Sequence, residues 1–144
     1  MELEVISQII LATFLGALLG FEREYKRKEA GLRTYSLVSL GACLFTIISF
    51  ELFNFFLNQS NVAFDPTRII QAVATGIGFI GAGVIFHQPS GTIGLTTAAG
   101  LWVCAALGVA VGAKLYSLAF FSALLTLLIL AGFGLLEEKV FKTK

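Results

Sequence analysis

The chain has 144 residues, of which 57% are apolar and only 13% charged, where an ordinary soluble domain has about a quarter of its residues charged. A soluble domain of this size leaves a large share of its surface in water, so this composition excludes a water-soluble fold and requires lipid to cover the remainder. The net charge of +1 supplies no basic face for a polyanion, which excludes nucleic acid as a partner.

The chain begins Met1-Glu2-Leu3-Glu4, with no Lys or Arg before its first apolar run, unlike the basic start of a secretory signal. That run, from about Val5 to Phe21, therefore reads as a retained span. A hydrocarbon core needs about 20 apolar residues in helical form. Four further runs approach or exceed that length: 34–57, 69–86, 94–112 and, after the interruption at Lys114, 115–136. Helices are the only spanning form available, because open strands leave backbone groups unpaired in lipid. The predicted fold class is an all-α polytopic transmembrane bundle, a single domain over residues 1–144, with no soluble domain after the fifth span.

The segment after span 1 holds Arg23, Lys26, Arg27, Lys28 and Arg33, and the tail holds Lys139, Lys142 and Lys144. Cations collect on the cytoplasmic side of a membrane protein. Five spans place both segments there, leave Arg68 and Lys114 opposite, and put the N-terminus outside and the C-terminus in the cytoplasm. Four spans would split the charge bias between the faces.

Small residues four apart let helix backbones approach closely where no hydrophobic force favours association. Ala12, Gly16 and Gly20 form such a ladder in span 1, Gly76 and Gly83 lie among the small residues of span 3, and Gly100, Cys104, Gly108 and Gly112 form a ladder in span 4. These three helices are the predicted packed centre. The ladders serve contacts within one subunit or between subunits, and exposed stripes of this kind predict a homo-oligomer, most simply a homodimer.

Residues able to carry chemistry are few. His87 is the one histidine, and it reads as an interface residue at the end of span 3. The glycines of GIGFIGAG sit inside an apolar helix, without the strand and soluble crossover that a dinucleotide site requires. Cys43 and Cys104 lie in apolar runs as small hydrophobes, without metal-ligand spacing. No enzyme activity and no cofactor are predicted.

Polar groups at membrane depth are costly and usually face a protein interior or a wet cavity. Glu51 and Gln71 are the candidates; Glu51 falls about 25 Å along span 2, near the outer boundary. Asp65-Pro66-Thr67-Arg68 reads as a helix start, with Asp65 as N-cap and Pro66 in the first helical position. A second reading stands beside it: Asp65 and Glu51, with Glu2 and Glu4, give the outer side oxygen ligands suited to a hard cation such as Mg²⁺. On the other face, Glu22 to Lys26 and Glu24 to Lys28 are i,i+4 pairs. That charged surface reads as a solvated face beside anionic lipid, or as a docking surface for another protein.

Four segments, Gly20-Phe21-Glu22-Arg23-Glu24, Ala30-Gly31-Leu32-Arg33-Thr34, Asp65-Pro66-Thr67-Arg68 and Gly76-Ile77-Gly78-Phe79-Ile80-Gly81-Ala82-Gly83, are followed by Gly94-Leu95-Thr96-Thr97-Ala98-Ala99 and Trp102. In order and spacing they resemble the MgtC/SapB family of bacterial inner-membrane proteins. The resemblance implies a five-span domain with a role in adaptation to low magnesium and in bacterial survival inside host cells. It implies that this role is exerted largely through other membrane proteins, ATP synthase among them, and it does not imply demonstrated Mg²⁺ transport. Many members carry a soluble C-terminal domain, so this chain, ending at Lys144, resembles the shorter SapB-like form. Tyr35 stands where members often carry His. Carried over position by position, the functional candidates are Glu22, Arg23, Gly31, Arg33, Asp65, Arg68, Gly78, Gly81, Thr96 and Thr97. The expectation is a non-enzymatic modulator of other membrane proteins; the alternative is a direct transporter or channel for Mg²⁺ or another small cation, motivated by Asp65, Glu51, Gln71 and the glycine-rich spans.

Overall fold

A computed structural model describes residues 2–57, 65–89 and 91–134. Helix α1 (Glu2–Tyr25) carries Glu2 and Glu4 in its first turn and Arg23 in its last, charges that complement the helix dipole at both ends. It stops in a Schellman turn. Lys28 N–H bonds to the Arg23 carbonyl at 3.0 Å and Arg27 N–H to the Glu24 carbonyl at 2.9 Å, with Arg27 in the left-handed region at φ 51°. The same device ends α4 (Leu95–Gly112): Leu115 N–H reaches the Ala110 carbonyl, Lys114 N–H the Val111 carbonyl, and Lys114 has φ 62°.

Helix α2 (Leu32–Phe56) and helix α3 (Arg68–Val84) fill the second and third apolar runs. Span 3 ends two residues before the expected Phe86. The chain turns extended at Ile85 and enters a two-stranded antiparallel hairpin, β1 (Phe86–Gln88) and β2 (Gly91–Ile93), with His87 opposite Thr92. Helix α5 (Tyr116–Leu127) continues as a π-helix over Leu128–Phe133. The end of the predicted fifth span, residues 135–136, and the basic tail residues lie outside the described residues.

Among the described residues, four helices are long and apolar enough to cross a membrane, and the 17-residue α3 is a shorter apolar helix. At 1.5 Å per residue α3 is about 25 Å long, at the lower limit for a crossing. The chain is thus an all-α polytopic bundle with one small hairpin. Helices α1 and α4 run in opposite directions, since Glu4 at the start of α1 pairs with Lys114 after α4, whereas α1 and α5 run the same way, since Lys26, just past α1, reaches Leu130 late in the last helix.

The packed centre differs from the one expected from spans 1, 3 and 4. It consists of α1, α2 and α4, with α4 touching all four other helices and α3 packed mainly on α4. Only Ile77 and Gly81 of α3 are buried. The reason is where the glycines point. A Cβ on Gly16 would stand 2.6 Å from the Tyr35 carbonyl oxygen, and one on Gly112 would stand 2.8 Å from that of Cys43. Gly20, Gly100 and Gly108 also meet α2 at close range, whereas Gly76, Gly78 and Gly83 face open space. The partner of the glycine ladders is therefore α2, whose Ser39, Ala42, Cys43 and Thr46 present small side chains to α4 and are all buried. In lipid such close backbone approach replaces the hydrophobic force that drives packing in water.

Candidate functional site

The charged end of the bundle is built from the end of α1, the α1–α2 loop, the β hairpin, the start of α4 and the π-helix. Arg23 is only 3% exposed, because α1 carries it into the interior one turn after Gly20. Its charge is met by its neighbour Glu22: Nε donates to Oε2 at 2.6 Å and Nη2 to Oε1 at 3.1 Å. Lys26 Nζ joins the same carboxylate at 2.9 Å, one helical turn on, and donates to the Leu130 carbonyl of the π-helix at 3.1 Å. The predicted Glu22–Lys26 pair thus forms. Glu24 instead turns from Lys28 to accept the Leu32 N–H at 3.1 Å, with Gly31 packed against its side chain. Lys28 has no ion pair among the described residues.

Thr97 links this end to the core. Its hydroxyl donates to Glu29 Oε2 at 2.6 Å, and its carbonyl accepts the Tyr35 hydroxyl at 3.1 Å. Tyr35 is fully buried, and its own carbonyl accepts the Cys104 thiol at 3.2 Å. The absence of a side chain on Gly100 leaves the space that the Tyr35 phenol occupies. The Thr97 hydroxyl holds the Glu29 carboxyl below the usual carboxylate range. Beside this network lies a cavity of about 550 Å³ whose lining includes Arg23, Lys26, Lys28 and Thr96 together with Ile129 and Phe133.

The structure thus brings Glu22, Arg23, Thr96 and Thr97 to one end. Arg33 and Gly31 share that end, with Arg33 exposed on the first turn of α2 and outside the cavity. Gly81 packs on Ala98, and Gly78 and Gln71 lie exposed on α3.

Asp65, Arg68 and Glu51 lie at the opposite end. Asp65 caps a turn rather than the helix proper: its Oδ1 accepts the Thr67 N–H at 2.9 Å and the Thr67 hydroxyl at 2.6 Å, and α3 starts at Arg68. Those bonds hold the Asp65 carboxyl below its usual range. Glu51 lines a separate cavity of about 270 Å³ with Glu4, Gln8, Asn54 and Lys114, which Asp65 does not reach. Glu4 and Lys114 pair there at 2.7 Å, and the carboxylate raises the Lys114 pKa. Asp65 and Glu51, considered together as Mg²⁺ ligands, are therefore not brought into one site, and no group of three His, Cys, Asp or Glu side chains is placed to hold a metal among the described residues.

The residues missed in sequence are Gln8, Glu29 and Ser39. Gln8 had a signal, an amide inside an apolar run, and the structure buries it with Nε2 donating to the Val111 and Gly112 carbonyls at 2.9 and 3.0 Å. Glu29 had none beyond membership of a charged loop, because its partner Thr97 comes from a distant helix; the Lys26 pair with Glu22 was legible, but its bond to the Leu130 carbonyl was not.

Placed on this fold, the motif residues can be compared with known proteins. A family model described as the MgtC family matches residues 9–139. The chain belongs to the MgtC family. A Brucella abortus relative named Protein MgtC is 44% identical over 131 residues, covering 90% of this chain and 50% of its own. An Escherichia coli K12 relative named putative magnesium transporter YhiD is 43% identical over 133 residues, 92% of this chain and 62% of its own. Protein SapB of Bacillus subtilis is 38% identical over 126 residues, 87% and 54% respectively. The chain thus spans about half to three-fifths of the length of these MgtC-family relatives. No solved structure matches it. Membership of the MgtC family and several long apolar helices make it a multi-pass bacterial membrane protein.

Proposed function

We propose that this protein is a non-enzymatic component of the bacterial inner membrane that supports adaptation to low Mg²⁺ by acting on other membrane proteins. In this reading it crosses the bilayer five times, with the Arg23–Arg33 end in the cytoplasm. The observation that carries the proposal is the closed interior between the two polar ends. Leu15, Leu19, Cys43, Leu101, Cys104 and Leu107 fill the α1–α2–α4 seam, each no more than 3% exposed. The buried polar groups nearby are spent on backbone carbonyls: Gln8 on Val111 and Gly112, Thr46 on Ala42. Ser39 Oγ is the buried side-chain oxygen without a partner among the described residues, and a single hydroxyl does not line a path. A conducting route needs a continuous polar lining or carbonyl ladder.

Arg33 is the residue through which contact with another protein is most economically made. A cation in the first turn of a helix opposes the dipole at a cost of about 0.3–1 kcal/mol, so its position is not explained by the stability of α2. Growth of a null strain in limiting magnesium tests the reading: the wild-type gene restores growth, and Arg33→Ala does not although the protein reaches the membrane at normal level. Unaltered rescue by Arg33→Ala would count against it.

A second reading, direct transport of Mg²⁺ or another small cation, is favoured by the name of the Escherichia coli relative and by the cavity that holds Glu4 and Glu51. Flux through the purified protein separates the two.

A further inference from the structure

The cavity at the charged end is amphipathic in a way that neither reading of function requires. Part of its lining is cationic. Arg23 contributes to it while Glu22 engages only Nε and Nη2 of a guanidinium that has five N–H donors. Lys28 lines it without an ion pair among the described residues, and Lys26 keeps one ammonium proton beyond those given to Glu22 and Leu130. The carboxylate in the lining, Glu29, accepts the Thr97 hydroxyl. Ile129 and Phe133 of the π-helix line it as well, and Phe133 is 64% exposed. A soluble anion would have no use for the apolar lining, and an uncharged lipid none for the cationic one.

We propose that this cavity binds one anionic glycerophospholipid, its phosphodiester at Lys28 and Arg23 and an acyl chain along Ile129 and Phe133. Basic pockets between membrane helices are suited to lipid headgroups, and the volume of about 550 Å³ accommodates a glycerophosphate with the first part of a chain. The occupied site would tie the α1–α2 loop to α5 through the same Lys26 that already bonds the π-helix.

Native mass spectrometry of the full chain, released from micelles holding phosphatidylglycerol and phosphatidylethanolamine in equal amounts, tests this. The expected result is one retained phosphatidylglycerol in clear excess over phosphatidylethanolamine. Lys28→Gln removes a side chain that makes no hydrogen bond or ion pair among the described residues and should lower retention about fivefold, the effect of one basic residue at a membrane surface. Phe133→Ala should also lower it, whereas Leu118→Ala, exposed on α5 away from the cavity, should not. Equal retention of the two lipids, or unchanged retention in Lys28→Gln with helicity intact, would overturn the proposal. So would displacement of the lipid by millimolar inorganic phosphate, which would mark a soluble-anion site.

Discussion

The Tyr35 hydroxyl donates to the Thr97 carbonyl at 3.1 Å across the α2–α4 interface, and the Thr97 hydroxyl donates in turn to Glu29 at 2.6 Å. One residue of α4 therefore joins the helical core to the charged loop. Tyr35→Phe keeps the ring and removes the first bond, so it should cost about 1 kcal/mol. Tyr35→Ala also opens a cavity and should cost about 3–5 kcal/mol. Unfolding of the purified protein by denaturing detergent, followed by circular dichroism, measures both; equal losses would show that the hydroxyl, not the packing, dominates.

Glu22→Gln leaves Arg23 buried with its charge uncompensated, a change that costs about 3 kcal/mol or more at buried pairs. The Lys26 pair is lost with it. The double variant Glu22→Gln/Arg23→Gln should recover part of the loss, because it removes the unpaired guanidinium. A double-mutant cycle in the same assay gives the coupling.

Gly16→Val drives a branched side chain into the Tyr35 carbonyl and Ser39, and should destabilise the bundle by at least about 1–3 kcal/mol. Gly76→Val meets open space on α3 and should leave the isolated subunit's stability unchanged. If two copies associate through α3, Gly76→Val should instead shift the monomer–dimer equilibrium measured by analytical ultracentrifugation in detergent.

The Glu29 carboxyl is held below its ordinary value of 4.5 chiefly by the Thr97 hydroxyl. A carboxylate with a depressed folded pKa contributes stability that is present above its unfolded pKa and is lost as pH falls through the folded value. The stability difference between wild type and Glu29→Gln should therefore be present at pH 7 and shrink toward pH 3. A pH-independent difference would assign the effect to packing.

Cysteines placed at positions 28 and 140, in a chain whose buried Cys43 and Cys104 are replaced, should react with an impermeant thiol reagent only when the cytoplasmic face is accessible. That outcome requires an odd number of crossings between them to be excluded and is the one five spans predict. Labelling from opposite sides would refute the threading.

Much of the bundle was legible in the sequence because length and apolarity alone select membrane helices, and all five apolar runs became helices. What pattern could not give was the neighbour of each glycine. The ladders of α1 and α4 and the glycines of α3 look alike in sequence, yet the former crowd a second backbone, since α2 offers Ser39, Ala42 and Thr46 at matching heights, while Gly81 meets Ala98 only at ordinary contact distance and Gly76, Gly78 and Gly83 face open space. Resemblance singled out Arg23 and Thr97, but their roles depend on contacts that no spacing encodes. Arg23 is buried against its own neighbour, and Thr97 bonds Glu29 across 68 positions. The outer carboxylates show the converse: Asp65 and Glu51 share a side of the bundle by topology, while local turn geometry commits Asp65 to Thr67.

Magnesium entry into liposomes bearing the purified protein and an internal Mg²⁺ indicator addresses the closed interior most directly. With an inward gradient and a potassium diffusion potential, the influx should match that of protein-free liposomes, in wild type and in Glu51→Gln alike. Saturable influx in wild type that Glu51→Gln or Asp65→Asn abolishes would contradict a closed core and establish transport.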